Sequence, residues 1–554
     1  MSDSPTLRFT STLALALVLS SGCGADPDAG STLPGAGGGA NPDDASARLT
    51  EGQVAVPSTS MEGLTREGVS AFVERRAREL AAAPYRPPPN EVPGSLAQLD
   101  YDAYRSIRFR TEAALWRGTS RFEVQLFHPG FLFDEPVRIH LVDDSAETLD
   151  FDPALFSYEG DAAELPDDLT DTGSLGYAGF RIHFPLNAPG RMDEVVVFQG
   201  ASYFRLVGPG QVYGLSSRGL AVDVATDRPE EFPDFREFWL IRPEADADTL
   251  IIHALLDSPS VTGAYRFVLV PGEGTEMSVE AHIFARTDVG KLGVAPLSSM
   301  YLFDPTTAGA FDDFRAGVHD SDGLMARTRK DEWIWRPLSN GRGLRVSSLR
   351  DVDPVGFGLA QRARDFDSFL DLEARYHERP SEWIEVHPDD RWGRGGVELL
   401  EIPTETEFND NIAAYWVPEE PFRSGDERRY RYTLSTFDGR LADETLGHVV
   451  RTRAGRAALP GDVAQPRFRR FIVDFEGGTL DELPAGASVD VMLETFAGRV
   501  DDARAEPIPS GGWRASFRVE ADTDRPPDMR LFLEVDGIRV TETWTYAWYP
   551  GETR

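Results

Sequence analysis

The sequence predicts an all-β protein, a large β-sandwich domain followed by a small immunoglobulin-like β-sandwich, and three observations carry that prediction. Short segments alternate apolar and polar residues: Phe122, Val124 and Leu126 around Glu123 and Gln125, then Val137, Ile139 and Leu141 around Arg138 and His140, then Phe180, Ile182 and Phe184 around Arg181 and His183. Period-two alternation gives a strand one buried face. Gly, Pro, Asn and Asp punctuate these segments, with no sustained helical period as far as about residue 455. Finally, the end of the chain repeats the pattern at closer intervals. Phe471, Val473 and Phe475 are followed by Val489, Val491 and Leu493, then Trp513, Ala515, Phe517 and Val519, then Met529, Leu531, Leu533 and Val535. Asp536-Gly537 reads as a hairpin turn, and Trp544, Tyr546 and Trp548 close the series, as in an immunoglobulin-like sandwich.

The elements before and between follow in order. At 554 residues the chain exceeds the size at which a single core stops growing, and its 41% hydrophobic content is that of a globular protein. Arg8 precedes the apolar run Leu13–Leu19, which is too short for the ~20 residues of a membrane span and has the length of a signal-peptide core. Cys23, the one cysteine in the sequence, follows small residues. With no second thiol in the chain to pair with, it reads as a lipid-attachment site. An ordinary signal peptide cleaved nearby is the alternative. Residues 1–23 are thus the expected signal segment, and 24–58, rich in Gly, Ala, Pro, Asp and Ser, a flexible linker. The large domain is expected over 59–455 and the small one over 456–554, with Thr452–Pro466 as the connection. One helix is expected early, where Val69, Phe72, Val73, Ala77 and Leu80 share a face and Pro84 with Pro87-Pro88-Pro89 ends it. It reads as a packing helix.

Composition excludes some functions. Asp and Glu number 92 against 56 Lys and Arg, a formal charge of -36. Such a chain repels nucleic acid and anionic lipid, so no nucleic-acid partner is expected, and membrane contact only through a lipid at Cys23. A neutral ligand such as a sugar is unaffected. There is no phosphate-binding loop, and Gly214-Leu215-Ser216-Ser217-Arg218-Gly219 only imitates a nucleophile elbow. The nine His lack zinc-like spacing, and Asp320-Ser321-Asp322-Gly323 begins like a calcium loop but places Gly too early and Leu324 at a ligand position. No metal and no cofactor are expected.

Carboxylates and aromatic rings remain, and these suit sugar chemistry. Cleaving a glycosidic bond takes one carboxylic acid to protonate the leaving oxygen and one carboxylate to activate water or attack. Trp333, Trp335, Tyr376, Trp383, Trp392, Tyr415 and Trp416 are interspersed with Asp320, Asp322, Asp365, Asp371, Glu373 and Asp410. Any one of them can equally be a core ring or a solvated turn, so composition does not pick the pair.

Longer strings do. Tyr101–Arg110, Phe127-His128-Pro129-Gly130-Phe131, Gly200–Arg205, Tyr213–Gly219, Leu256–Phe267, His319–Leu324, Trp333–Pro337 and Asn409-Asp410-Asn411-Ile412 together resemble the periplasmic glucan biosynthesis protein G/D (OpgG/OpgD, also MdoG/MdoD) family from about Leu80 onward. The resemblance implies the same two-sandwich fold, a periplasmic location and action on β-1,2-linked glucan, as an inverting endo-β-1,2-glucanase type of glycoside hydrolase or as a transglycosylase. A non-catalytic glucan-binding assembly factor is the alternative of another class. It implies Asp410 as general acid and Asp320 as base acting through intervening water, and it allows a homodimer. Trp333, Trp335, Trp392 and Tyr376 are expected to line the sugar cleft, with Arg336 beside them. The chain departs from the family pattern at Ala360, at Val386-His387-Pro388-Asp389-Asp390 and at Glu405-Thr406-Glu407-Phe408. Both aspartates are retained.

Overall fold

The computed structural model describes residues 61–551 except 90–91, 166–168, 170–174, 306, 439–440, 442–444, 458–466, 485 and 523–524. The expected signal segment, Cys23 and the linker to residue 58 lie outside the described residues.

Two sheets form the large sandwich. Among the described residues one has 10 strands and the other, counting those it shares with the C-terminal unit, has 15. The alternation seen in the sequence places large rings between them. Phe180 and Phe198 of the first sheet meet Phe238 and Phe267 of the second edge-on, with centroids 5.0 Å apart for Phe180–Phe238 and 5.3 Å for Phe198–Phe267. All four are buried, each such side chain contributing about 1.5–3 kcal/mol relative to exposure. The polar positions are covered as well in places. Gln125, buried on the strand Glu123–Phe127, accepts from the Arg181 guanidinium at 2.8 and 3.1 Å, so its burial leaves the side-chain oxygen paired.

The expected helix spans Val69–Ala81 and buries Val69, Phe72, Val73 and Ala77 against Trp239, Leu255, Ala264 and Phe284 on the outer face of the second sheet. Its last turn is closed by Arg286, which donates to the carbonyls of Leu80 and Ala83 and pairs with Asp257 at 2.7 Å. A cation at a helix C-terminus satisfies carbonyls that have no intrahelical partner and complements the helix dipole.

The C-terminal unit is a second sandwich. A sheet of His448–Arg456, Phe468–Glu476, Trp513–Glu520 and Arg499–Pro507 faces the strands Asp490–Thr495, Asp528–Val535 and Thr543–Ala547. Phe471, Phe517 and Trp544 fill the space between. Asp536 and Gly537, both with positive φ (52° and 76°), form the turn that pairs Val535 with Ile538. The expected boundary at 455/456 falls inside the strand His448–Arg456. The start of the expected connection, Thr452-Arg453-Ala454, reads as a linker because that strand is only partly buried and carries little apolar alternation. Nor are the two units separate sheets: Thr543–Ala547 pairs in parallel with Trp333–Pro337, joining the small sandwich to the 15-stranded sheet. A buried ion pair reinforces the joint, with Glu542 accepting two hydrogen bonds from Arg362 at 2.6 and 2.8 Å and one from the Val449 amide at 2.7 Å.

Candidate active site

The short strand Tyr301–Phe303 organises both aspartates. On one edge Tyr301 pairs with His319, and the Asp320 amide donates to the Met300 carbonyl at 2.8 Å. His319 is buried, stacks on Tyr301 and shares a hydrogen bond of 2.8 Å with Gln361. Ser299 and Ser321 bond through their hydroxyls at 2.9 Å. This backing leaves Asp320 3% exposed with Arg379 as its ion-pair partner. Arg379 is aimed by its own contacts: Nε donates to the Ala374 carbonyl at 3.0 Å, and the guanidinium lies over the Tyr376 ring at 4.3 Å. Gly214 makes room for that arm, since a Cβ there would stand 2.8 Å from Cβ of Arg379. Asp322, two residues on, accepts from the Arg362 and Ala363 amides at 3.0 and 3.2 Å. Asp322 thereby ties the calcium-like string to the segment that follows the strand Gly356–Ala360.

On the other side stands the loop that carries Asp410. Asn411, buried, accepts from the Tyr301 amide at 2.8 Å and donates to the carbonyls of Tyr301 and Ile402, each at 3.0 Å. Thr404 is held by Asn340, and Glu407 by Arg315 at 2.7 Å and the Tyr376 hydroxyl at 2.7 Å. Asp410 projects from this fixed loop, partly exposed, into an open pocket shared with Tyr203, Arg218, Glu230, Phe232 and Phe408. Burial in the pocket wall raises its carboxyl above the usual carboxylate range, and Asp320 raises it further, while Arg205, Arg379 and Arg218 oppose. Arg218 is itself fixed between the Tyr203 and Phe232 rings and pairs with Glu230 at 3.0 Å.

Beneath Arg205 lies Glu382, on the strand Ser381–Val386. It is fully buried and accepts from the Ser217 hydroxyl at 2.8 Å. Burial pushes its carboxyl up to about 8; Ser217 and Arg205 only moderate that.

The residues expected from the sequence divide. Asp320 and its partner Arg379 both act electrostatically on Asp410, and Tyr376 is beside them, buried under Arg379 and bonded to the Asp410 loop. Trp333 and Trp335 are not in the cleft. At 6% and 4% exposure they sit in the apolar cluster that joins the two sandwiches, Trp333 packed on Trp383 at 5.3 Å and Trp335 under Arg362 at 3.6 Å. Trp392 is core too, among Trp416, Tyr430 and Tyr432. Arg336 is spent on the same joint, bonding Ser347 at 2.8 Å and Asp528 at 3.3 Å. Rings of this size, in strands whose two faces are covered, gain more from burial than from facing water, and that corrects the expected aromatic cleft. Arg205, Arg218, Arg379, Glu382 and Glu407 were missed. The strings Gly200–Arg205 and Tyr213–Gly219 contain two of them, but charged residues at strand ends read as ordinary surface.

The fold is that of a two-sandwich, all-β protein, with Asp410 at a pocket and Asp320, paired with Arg379, near enough to act on it electrostatically. The chain belongs to a known family of that class: the model for the periplasmic glucan biosynthesis protein MdoG matches residues 70–548. It is similar to "Glucans biosynthesis protein G" of Ralstonia nicotianae, 45% identical over 487 residues, covering 86% of this chain and 95% of that one. The protein of the same name from Vibrio cholerae is 42% identical, covering 86% of each chain, and that of Shewanella baltica is 44% identical, covering 86% and 87%.

Proposed function

We propose that the protein is a β-1,2-glucan-processing glycoside hydrolase of the inverting endo-β-1,2-glucanase type, acting in periplasmic glucan biosynthesis and held to a membrane by lipid at Cys23. The observation that carries this reading is the contrast within one carboxylate pair. Asp410 has a raised carboxyl at the pocket wall, and Asp320 is engaged by Arg379. An acid whose carboxyl is raised above the ordinary range holds its proton more readily, and can deliver it to the leaving glycosidic oxygen as the C–O bond breaks. Asp320, held by Arg379, accepts the proton of the attacking water through intervening water. Water then adds from the face opposite the leaving group, and the anomeric configuration inverts. A binding protein gains nothing from a carboxyl whose burial holds its proton.

The test is incubation of the full chain with linear β-1,2-glucan while new reducing ends are counted, beside Asp410→Asn and Asp320→Asn. Accumulating ends, abolished in both variants, support the hydrolase. Change of glucan size or cyclisation without new ends would make it a transglycosylase. Binding without either would make it an assembly factor.

A further inference from the structure

Arg315 gathers three loops at one guanidinium: it pairs with Asp313 and Asp371, each at 2.8 Å, and with Glu407 at 2.7 Å. Each of those acids has a large apolar neighbour in sequence that is turned to solvent. Phe314, Leu372 and Phe408 are 78%, 80% and 77% exposed, among the most exposed large apolar side chains of the described residues. In an irregular, extended segment successive side chains leave on opposite sides, so three acids turned inward to one arginine turn three apolar groups outward around it. An exposed apolar cluster of this kind marks a ligand or partner surface.

We infer that Phe314, Leu372 and Phe408 form a platform at the rim of the pocket, on which glucose rings of the bound chain lay their apolar C–H faces. This rests on the glucan-processing reading above and adds a subsite to it. Phe408 supplies the continuity, since it lines the same pocket as Asp410 and precedes it by two residues. Charge selects the occupant. The chain has a net charge of -36, which repels an anionic lipid surface and is indifferent to a neutral polysaccharide. The clamp on Arg315 also holds the three loops in place before binding, so little ordering cost is left to the ligand. The platform supplies the apolar surface that Trp333, Trp335 and Trp392, packed in the core, do not.

The experiment measures affinity of the full chain for long linear β-1,2-glucan and for a short oligosaccharide of the same linkage, in the Asp410→Asn background to prevent turnover. Phe314→Ser, Leu372→Ser and Phe408→Ser are compared singly and together, with sedimentation velocity alongside. Each single change is expected to weaken long-glucan binding roughly three- to tenfold, the range of one aromatic or apolar contact, and the triple change more. The short oligosaccharide is expected to lose less, and Phe408→Trp to restore binding. Unchanged long-glucan affinity in the triple variant overturns the platform while leaving the hydrolase reading intact. Unchanged affinity with a shift in sedimentation overturns it in favour of a face between copies of this chain. Failure of the chain with an intact rim to bind the glucan at all sinks the functional reading and the platform together.

Discussion

Asn411 is bonded to both the amide and the carbonyl of Tyr301, so the residue after one aspartate is fixed to the strand that holds the other. The opposite edge of that strand pairs Tyr301 with His319, immediately before Asp320. The separation of the two carboxylates is thereby set by one short strand and not by two independent loops. Replacing Asn411 by Ala removes three buried hydrogen bonds and leaves the Tyr301 and Ile402 backbone groups unpaired. A loss of about 2–4 kcal/mol in stability is expected. Activity should fall further than the unfolded fraction explains, in kcat more than in KM, because the acid drifts from its position by fractions of an ångström. Steady-state kinetics and denaturant unfolding of the same preparation check this; unaltered kcat in a folded Asn411→Ala protein would contradict it.

Gly214 reports on the arm of Arg379. A methyl at that position overlaps Cβ of Arg379, so Gly214→Ala has to push the guanidinium away from Asp320. The expected outcome is at least a tenfold loss of kcat, with far-UV circular dichroism and glucan affinity close to those of the unsubstituted protein. A single methyl group at Gly214 then acts on Asp320 through its ion-pair partner.

The acid has a pH signature. On the proposed reading Asp410 acts in its protonated form, and its carboxyl lies above the ordinary carboxylate range, so activity is expected to persist through mildly acidic pH and fall as pH rises through that raised value. Arg205 opposes the rise. Arg205→Gln is therefore expected to carry the alkaline limb of kcat/KM to higher pH. A limb that stays in place, or moves to lower pH, would show that Arg205 does not face the acid.

Trp333 and Trp335 test the correction made by the structure. Both are packed between the sandwiches, so Trp333→Leu and Trp335→Leu are expected to cost about 2–4 kcal/mol each and to leave KM for the glucan unchanged. A KM raised several-fold in a still-folded variant would return the ring to the sugar.

Much of the fold was legible because it rests on local alternation. Phe471, Val473 and Phe475, or Phe180, Ile182 and Phe184, declare a buried face by spacing alone, and Asp536-Gly537 declares its turn by conformational preference. What was not legible depends on pairing across the chain. The strand His448–Arg456 hides behind polar residues because it is only partly buried, and nothing in Thr543–Ala547 announces that it will add to Trp333–Pro337, more than two hundred residues earlier. The same holds at the site. Asp320 and Asp410 were proposed from the strings around them, and the structure brings their loops to the two sides of the strand Tyr301–Phe303. The choice of Trp333, Trp335 and Trp392 as sugar platforms failed because residue type does not say which face of a strand is covered. Phe314, Leu372 and Phe408 carry no motif, and only the convergence of three loops on Arg315 brings them together.

Glu382 predicts how stability depends on pH. Its carboxyl is raised from 4.5 to about 8 by burial, so the folded protein holds a proton there that the unfolded chain releases. For a group raised on folding, the contribution to stability is fully present below the unfolded value and is lost as pH rises through the folded one. Stability is therefore expected to decline between about pH 4.5 and pH 8 by an amount on the order of 3–5 kcal/mol from this group. Glu382→Gln keeps the acceptor for Ser217 and cannot ionise. It should unfold at the same denaturant concentration as the parent near pH 5 and at a higher one near pH 8. Parallel declines in the two proteins would mean that Glu382 is ionised in the folded state, compensated by Arg205. In that event the arginine is committed to Glu382, and the opposition it offers to the acid at Asp410 has to be correspondingly weaker.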